Sequence, residues 1–145
     1  MRIDVKLHGA RDGIVETALI DTGAEISLMP LSIAANIGAW RTNQQANVVG
    51  VYGEARTLPI IVAYLYFPSL NNIGGQFVFA MSSNTGQELI VGMDILKPLG
   101  ITIDTKTHQI SVKNEIWEAF KTLTAVGVLF IGGVKLLEAL SKQND

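Results

Sequence analysis

An aspartate carried to the end of an apolar run is poised for acid–base chemistry, and this chain has one. Ala18-Leu19-Ile20 has strand character and delivers Asp21 to a turn made by Thr22 and Gly23. Gly23 is expected to take φ > 0 and to leave room above the backbone, with the Thr22 hydroxyl bonding inward to fix the loop. Taken alone, Asp-Thr-Gly is equally an ordinary turn that ends a strand, because Asp and Gly are common turn residues. A second stretch reads Glu88-Leu89-Ile90-Val91-Gly92-Met93-Asp94-Ile95-Leu96-Lys97-Pro98-Leu99-Gly100. There a buried apolar strand meets Gly92 and the chain turns into a short helix with Asp94 at its start, closed by Pro98 and Gly100.

Other chemistries fail on residue types. The chain has no cysteine and two histidines, so thiolate chemistry is excluded and no metal site or cofactor is expected. No Gly-x-Ser-x-Gly turn, Walker-type loop or His-Glu-x-x-His helix is present. His8 and His108 have no nucleophile beside them and read as half-exposed strand or turn residues. Trp40 and Trp117 read as packing or interface groups. A formal charge of −2 without a clustered Lys/Arg run argues against nucleic acid as a partner.

The elements that must position Asp21 are short and mostly β. At 145 residues the chain has room for one domain and an appendage. Ile3, Val5 and Leu7 alternate along a first strand, and Arg11-Asp12-Gly13 turns a hairpin into residues 14–20. Met1 leads straight into that strand, where a secretory signal would need an unbroken apolar segment. The expected location is therefore cytoplasmic or membrane-associated. Residues 26–29 form a strand stopped by Pro30, and residues 32–37 one short helical turn ending at Gly38. Residues 46–67 form a long hairpin with its tip at Gly50-Val51-Tyr52-Gly53. Residues 71–75 read as a loop, 76–81 as a strand, and 101–112 as a last hairpin turned by Thr105-Lys106-Thr107. Close-spaced short strands up to Val112 are the signature of a small closed barrel or sandwich.

Asp21-Thr22-Gly23-Ala24 after a strand, a glycine-tipped hairpin, and Leu89-Ile90-Val91-Gly92-Met93-Asp94-Ile95-Leu96 before a last strand resemble the retropepsin type of aspartic protease. The resemblance covers about residues 1–112. It implies a mainly β fold, a small closed acid-protease barrel equal to half of a pepsin-type fold, over residues 1–113. It also implies that Asp21 is the catalytic aspartate, that Thr22, Gly23 and Ala24 form its loop, and that Gly50, Val51, Tyr52 and Gly53 are a flap over a peptide or protein substrate. Two positions depart from the viral pattern. Met93 stands where viral members carry an arginine, leaving Glu25 without that partner, and Tyr52 makes the flap tip bulkier.

Peptide hydrolysis without a metal or covalent nucleophile needs one carboxylate to deprotonate water and a second, protonated carboxyl to protonate the carbonyl oxygen. The chain's other Asp-Thr, Asp104-Thr105, is followed by Lys106 and reads as a turn, so the second acid is expected from a second chain. A twofold axis through the Asp21 loop would supply it, making a homodimer the expected active unit. The competing class is a non-catalytic retropepsin-like dimerisation module that holds an extended peptide without cutting it.

Residues 114–145 differ in character. Ile116, Phe120, Leu123, Gly127, Phe130, Val134 and Leu137 step by fours and threes along a helical seam, with Glu118, Lys121, Lys135, Glu138 and Lys142 off it. A C-terminal hydrophobic helix is expected. Its uncharged stretch between Lys121 and Lys135 would be about 20 Å long, short of the roughly 30 Å hydrocarbon core. Two readings follow, membrane association through residues 116–140 or packing on the barrel or the partner's tail.

Overall fold

In the strand Arg2–His8 (β1), Val5 and Leu7 are fully buried, and they pair antiparallel with Ile14–Ile20 (β2), which buries Ala18 and Ile20. Alternation thus turns one face of the first hairpin to the core, as its sequence dictates. The computed structural model describes residues 1–50, 53–125, 130–131 and 134–135. After β2 come Leu28–Pro30 (β3), Leu31–Ile37 (α1), Trp40–Val49 (β4), Ala55–Phe67 (β5), a 3-10 turn at Pro68–Leu70, and Ile73–Ser82 (β6). Then follow Ile90–Val91 (β7), Met93–Leu99 (α2), Ile101–Asp104 (β8), Gln109–Val112 (β9) and Asn114–Ala125 (α3).

The main sheet has the order β1-β2-β7-β3-β6-β5-β4, and β1 also pairs with β5, so the ladder order returns on itself. The long strand β5 makes this possible. Its residues 55–62 pair with β4, while Tyr64, Leu65 and Tyr66 pair with β1 on that same side. Phe67, Phe79, Leu65, Met29, Leu96 and Leu99 are among the fully buried side chains of the core beneath. The protein is mainly β, as expected.

Boundaries moved where polar residues hid a strand or glycines suggested a loop. β4 begins at Trp40, not at residue 46, because Thr42 bonds the Ile60 carbonyl at 2.7 Å and a register shift between Arg41 and Gln45 absorbs the polar run. Gly74 and Gly75, expected in a loop, lie inside β6. A Cβ on Gly74 would fall 2.0 Å from the Leu65 carbonyl oxygen, and one on Gly75 3.0 Å from the Phe120 ring. These glycines admit a neighbouring strand and a helix side chain rather than a turn.

Helix α3 packs through Phe120, which is buried, stacks on Phe77 at 5.3 Å, and has Trp117 beside it at 5.9 Å. Trp117 is thus a packing group. Of the expected C-terminal helix, α3 covers Asn114–Ala125, while further along the expected seam Phe130–Ile131 (β10) pairs antiparallel with Val134–Lys135 (β11). In the sequence between these strands stands Gly132-Gly133, and glycine weakens a helix. The remainder of that expected helix, residues 126–129, 132–133 and 136–145, lies outside the described residues. Among the described residues, no helix is long and apolar enough to cross a membrane.

Candidate active site

β2 and β7 are parallel neighbours, with Leu19 opposite Ile90 and Ile20 opposite Val91. Parallel strands end on the same edge of a sheet, so Asp21 and Gly92 emerge side by side. β3 then returns antiparallel to β7, with Leu28 opposite Ile90, so β7 is inserted between the two strands that flank the Asp21 loop. Two sequence-distant stretches become one site by this insertion.

Asp21 is half-buried, and its amide donates to the Val91 carbonyl at 3.0 Å. Its Oδ1 accepts the Gly23 amide at 2.9 Å, and its carbonyl accepts the Ala24 amide at 3.1 Å. The loop is therefore closed by backbone donors, with the carboxylate as one acceptor. Two expectations for this loop are corrected. Gly23 is not in the left-handed region, unlike Gly38, Gly53, Gly86 and Gly100; what it supplies is clearance, since a Cβ there would lie 3.2 Å from Asp21 Oδ1. Thr22 is exposed, and among the described residues its hydroxyl has no partner, so the Gly23 amide does the work expected of it.

Across the loop, the Met93 amide donates to the Ala24 carbonyl at 2.8 Å. Gly92 is buried here, and a Cβ on it would meet that same Ala24 oxygen at 2.5 Å. Glycine is needed for this approach. Glu25 is exposed, and Met93 meets the loop through its backbone amide.

A buried polar cluster lies beneath. The Ser27 hydroxyl donates to Asp94 Oδ1 at 2.6 Å, the Ser27 amide donates to Oδ2 at 2.9 Å, and the Gly92 amide donates to Ser27 Oγ at 2.9 Å. Asp94 is 3% exposed and Ser27 fully buried. Burial pushes the Asp94 carboxyl above its usual range, against the opposing pull of the Ser27 hydroxyl and amide and the Ile95 amide. The sequence places Asp94 at a helix start and within the second motif, and gives Ser27 no role. The available signal was a lone polar residue in each of two apolar runs, Ile26-Ser27-Leu28-Met29 and Met93-Asp94-Ile95-Leu96.

The hairpin tip is partly described. Gly50 donates its amide to the Glu54 carbonyl at 2.8 Å and accepts the Gly53 amide at 3.0 Å, and Gly53 has φ of 81°. Val51 and Tyr52 lie outside the described residues. The other acids and histidines sit elsewhere. Asp104 is exposed at the end of β8, held below the usual carboxylate range by the Lys106 and Thr107 amides of the following turn, and His108 there is in the left-handed region. His8 stacks on Tyr64 at 4.5 Å, and exposed Trp40 meets Tyr64 edge-on at 5.9 Å. Among the described residues, no group of three or more His, Asp or Glu could hold a metal ion.

No protein-family model and no curated protein matches the chain. Among solved structures, it is similar to the crystal structure of the retroviral protease-like domain of Ddi1 from Leishmania major. The match has a TM-score of 0.51 at 21% identity and covers 79% of this chain and 89% of that one. This likeness shows a retropepsin-like fold.

Proposed function

We propose that the protein is an aspartic endopeptidase whose active unit is a homodimer, each copy contributing Asp21 to one site in a closed acid-protease barrel fold. The observation that carries this reading is the placement of a half-buried carboxylate at the shared end of two parallel strands, in a loop closed by the Gly23 amide. Asp94 of the second motif is engaged by Ser27, and Asp104 of the chain's other Asp-Thr by its own turn, which supports a second copy as the source of the partner acid. The exposed Thr22-Gly23 turn is the surface through which the twofold axis would pass.

Two carboxyls held together cannot both ionise, so the pair keeps one proton between them. The ionised Asp21 takes a proton from water as its oxygen attacks the scissile carbonyl carbon, while the protonated one gives its proton to the carbonyl oxygen. As the C–N bond of the tetrahedral intermediate breaks, the newly protonated Asp21 gives its proton to the leaving nitrogen and the other takes one from a hydroxyl of the intermediate, so the pair again holds a single proton. The 50–53 tip is the flap, opening for a peptide that adds as an extended strand.

A peptide-library digest at several pH values, with wild type and Asp21→Asn, tests this. Wild type is expected to cleave and the variant to fall to background, since the amide keeps the size of the group and removes the base from both halves of the site. Hydrolysis by the variant above half the wild-type rate rejects Asp21. Cleavage by neither favours the peptide-binding module.

A further inference from the structure

We infer that Ser27 and Asp94 are positioning residues for the Asp21 carboxylate, a buried strut that fixes its loop from behind. The inference rests on the proposed role of Asp21. Residues 21–27 are tied to residues 91–94 at successive points: Asp21 to Val91, Ala24 to Met93, and Ser27 to both Gly92 and Asp94. The Ser27 hydroxyl works in both directions, donating to the Asp94 carboxylate while accepting from the Gly92 amide.

Stability alone does not call for this arrangement. A buried carboxylate carries a desolvation cost that a well-packed apolar pair of similar size would avoid. What an apolar pair cannot supply is direction. The O–H···O contact of 2.6 Å has the length of a charge-assisted bond, and with the Ser27 amide it fixes both oxygens of Asp94 on one residue. The strut sets the height of residues 92–94 against residues 24–27, where the Met93 amide bonds the Ala24 carbonyl and a Cβ on Gly92 would not fit, so little slack separates it from Asp21. An acid that must meet its twin across a symmetry axis gains from such support, because the catalytic group is only as well placed as the shell behind it.

Full-length Ser27→Ala, Ser27→Thr and Asp94→Asn are compared by steady-state kinetics at saturating dimer and by amide hydrogen exchange. Ser27→Ala should lower kcat by about 10- to 100-fold, as expected for a misplaced catalytic group, with KM within about twofold of wild type. Ser27→Thr, which restores the hydroxyl, should recover kcat to within about threefold. Exchange at the Asp21 and Met93 amides should speed by about tenfold or more in Ser27→Ala while the Val62 and Val78 amides in β5 and β6 keep their rates. Unchanged kcat and unchanged Asp21 exchange would overturn the inference, as would equal acceleration of all amides, which marks plain destabilisation. If Ser27→Ala does not fold, Asp94→Asn decides by the same local-against-global criterion. If wild type cleaves no peptide, the proposed function fails separately, and the exchange pattern still decides whether the strut holds Asp21.

Discussion

Asp94 is held in a place that disfavours its charge, and that has a measurable consequence. Its carboxyl is raised above the unfolded value, roughly 3.9, with burial as the first cause. A raised folded pKa means that the group's contribution to stability is complete below the unfolded pKa and is lost as pH rises through the folded one. Asp94→Asn does not ionise there, so its urea midpoint relative to wild type should move in the variant's favour as pH increases from about 4 to 7, at fixed protein concentration. Any constant offset reflects the altered bonds to Ser27; a difference flat in pH would show that Asp94 does not titrate as its burial requires. At this scale the sequence was half legible. Asp21 and Gly92 announce themselves because each ends an apolar run. The Ser27–Asp94 contact spans 67 positions, and no local pattern states which two distant polar residues will meet. Of the two reasons the sequence offers for Gly23, φ and space, only the second holds, and composition does not say which of them a glycine serves.

Secondary elements were most legible where alternation or a stop signal was strong. The β1–β2 hairpin, the α1 ending at Gly38, the α2 ending at Gly100 and the β8–β9 hairpin all follow from period and punctuation. The insertion of β7 between β2 and β3 was not legible, because a two-residue strand has no period to read. For the hairpin tip the structure sharpens a test. A Cβ on Gly50 would fall 2.0 Å from Glu54 Oε1, the free end of a flexible side chain that can swing aside. Gly50→Val should therefore slow turnover severalfold by altering closure of the proposed flap while shifting Tm little, read by kcat/KM beside a thermal melt. Gly53 meets nothing within 4 Å but has φ of 81°, so Gly53→Ala should cost about 1–2 kcal/mol through backbone strain, felt at the tip. Unfolding of the whole domain by the Gly50 change would make that glycine structural and remove the flap assignment.

At the scale of the molecule, the proposed site with one acid per copy makes activity depend on association. Below the dimer dissociation constant, the dimer concentration scales as the square of total protein, so specific activity should fall in proportion to dilution. The structure also changes where the C-terminal region can be cut. Removal of everything after Val112 would take Phe120 from its stack on Phe77 and its seat over Gly75, and loss of a buried Phe side chain costs about 3–5 kcal/mol. A stop after Ala125 spares that contact. This shorter truncation should leave the melting behaviour of the β-rich unit intact at high concentration. If the tail contributes to pairing, the same truncation should move the midpoint of the dilution curve to higher protein concentration, because a second contact raises the partners' effective concentration. Sedimentation and peptide cleavage measured across one dilution series separate the cases. Coincident midpoints in sedimentation and activity are what a shared site requires, and a monomer that cleaves at every concentration would break the shared-site mechanism and force a search for a second acid within one chain.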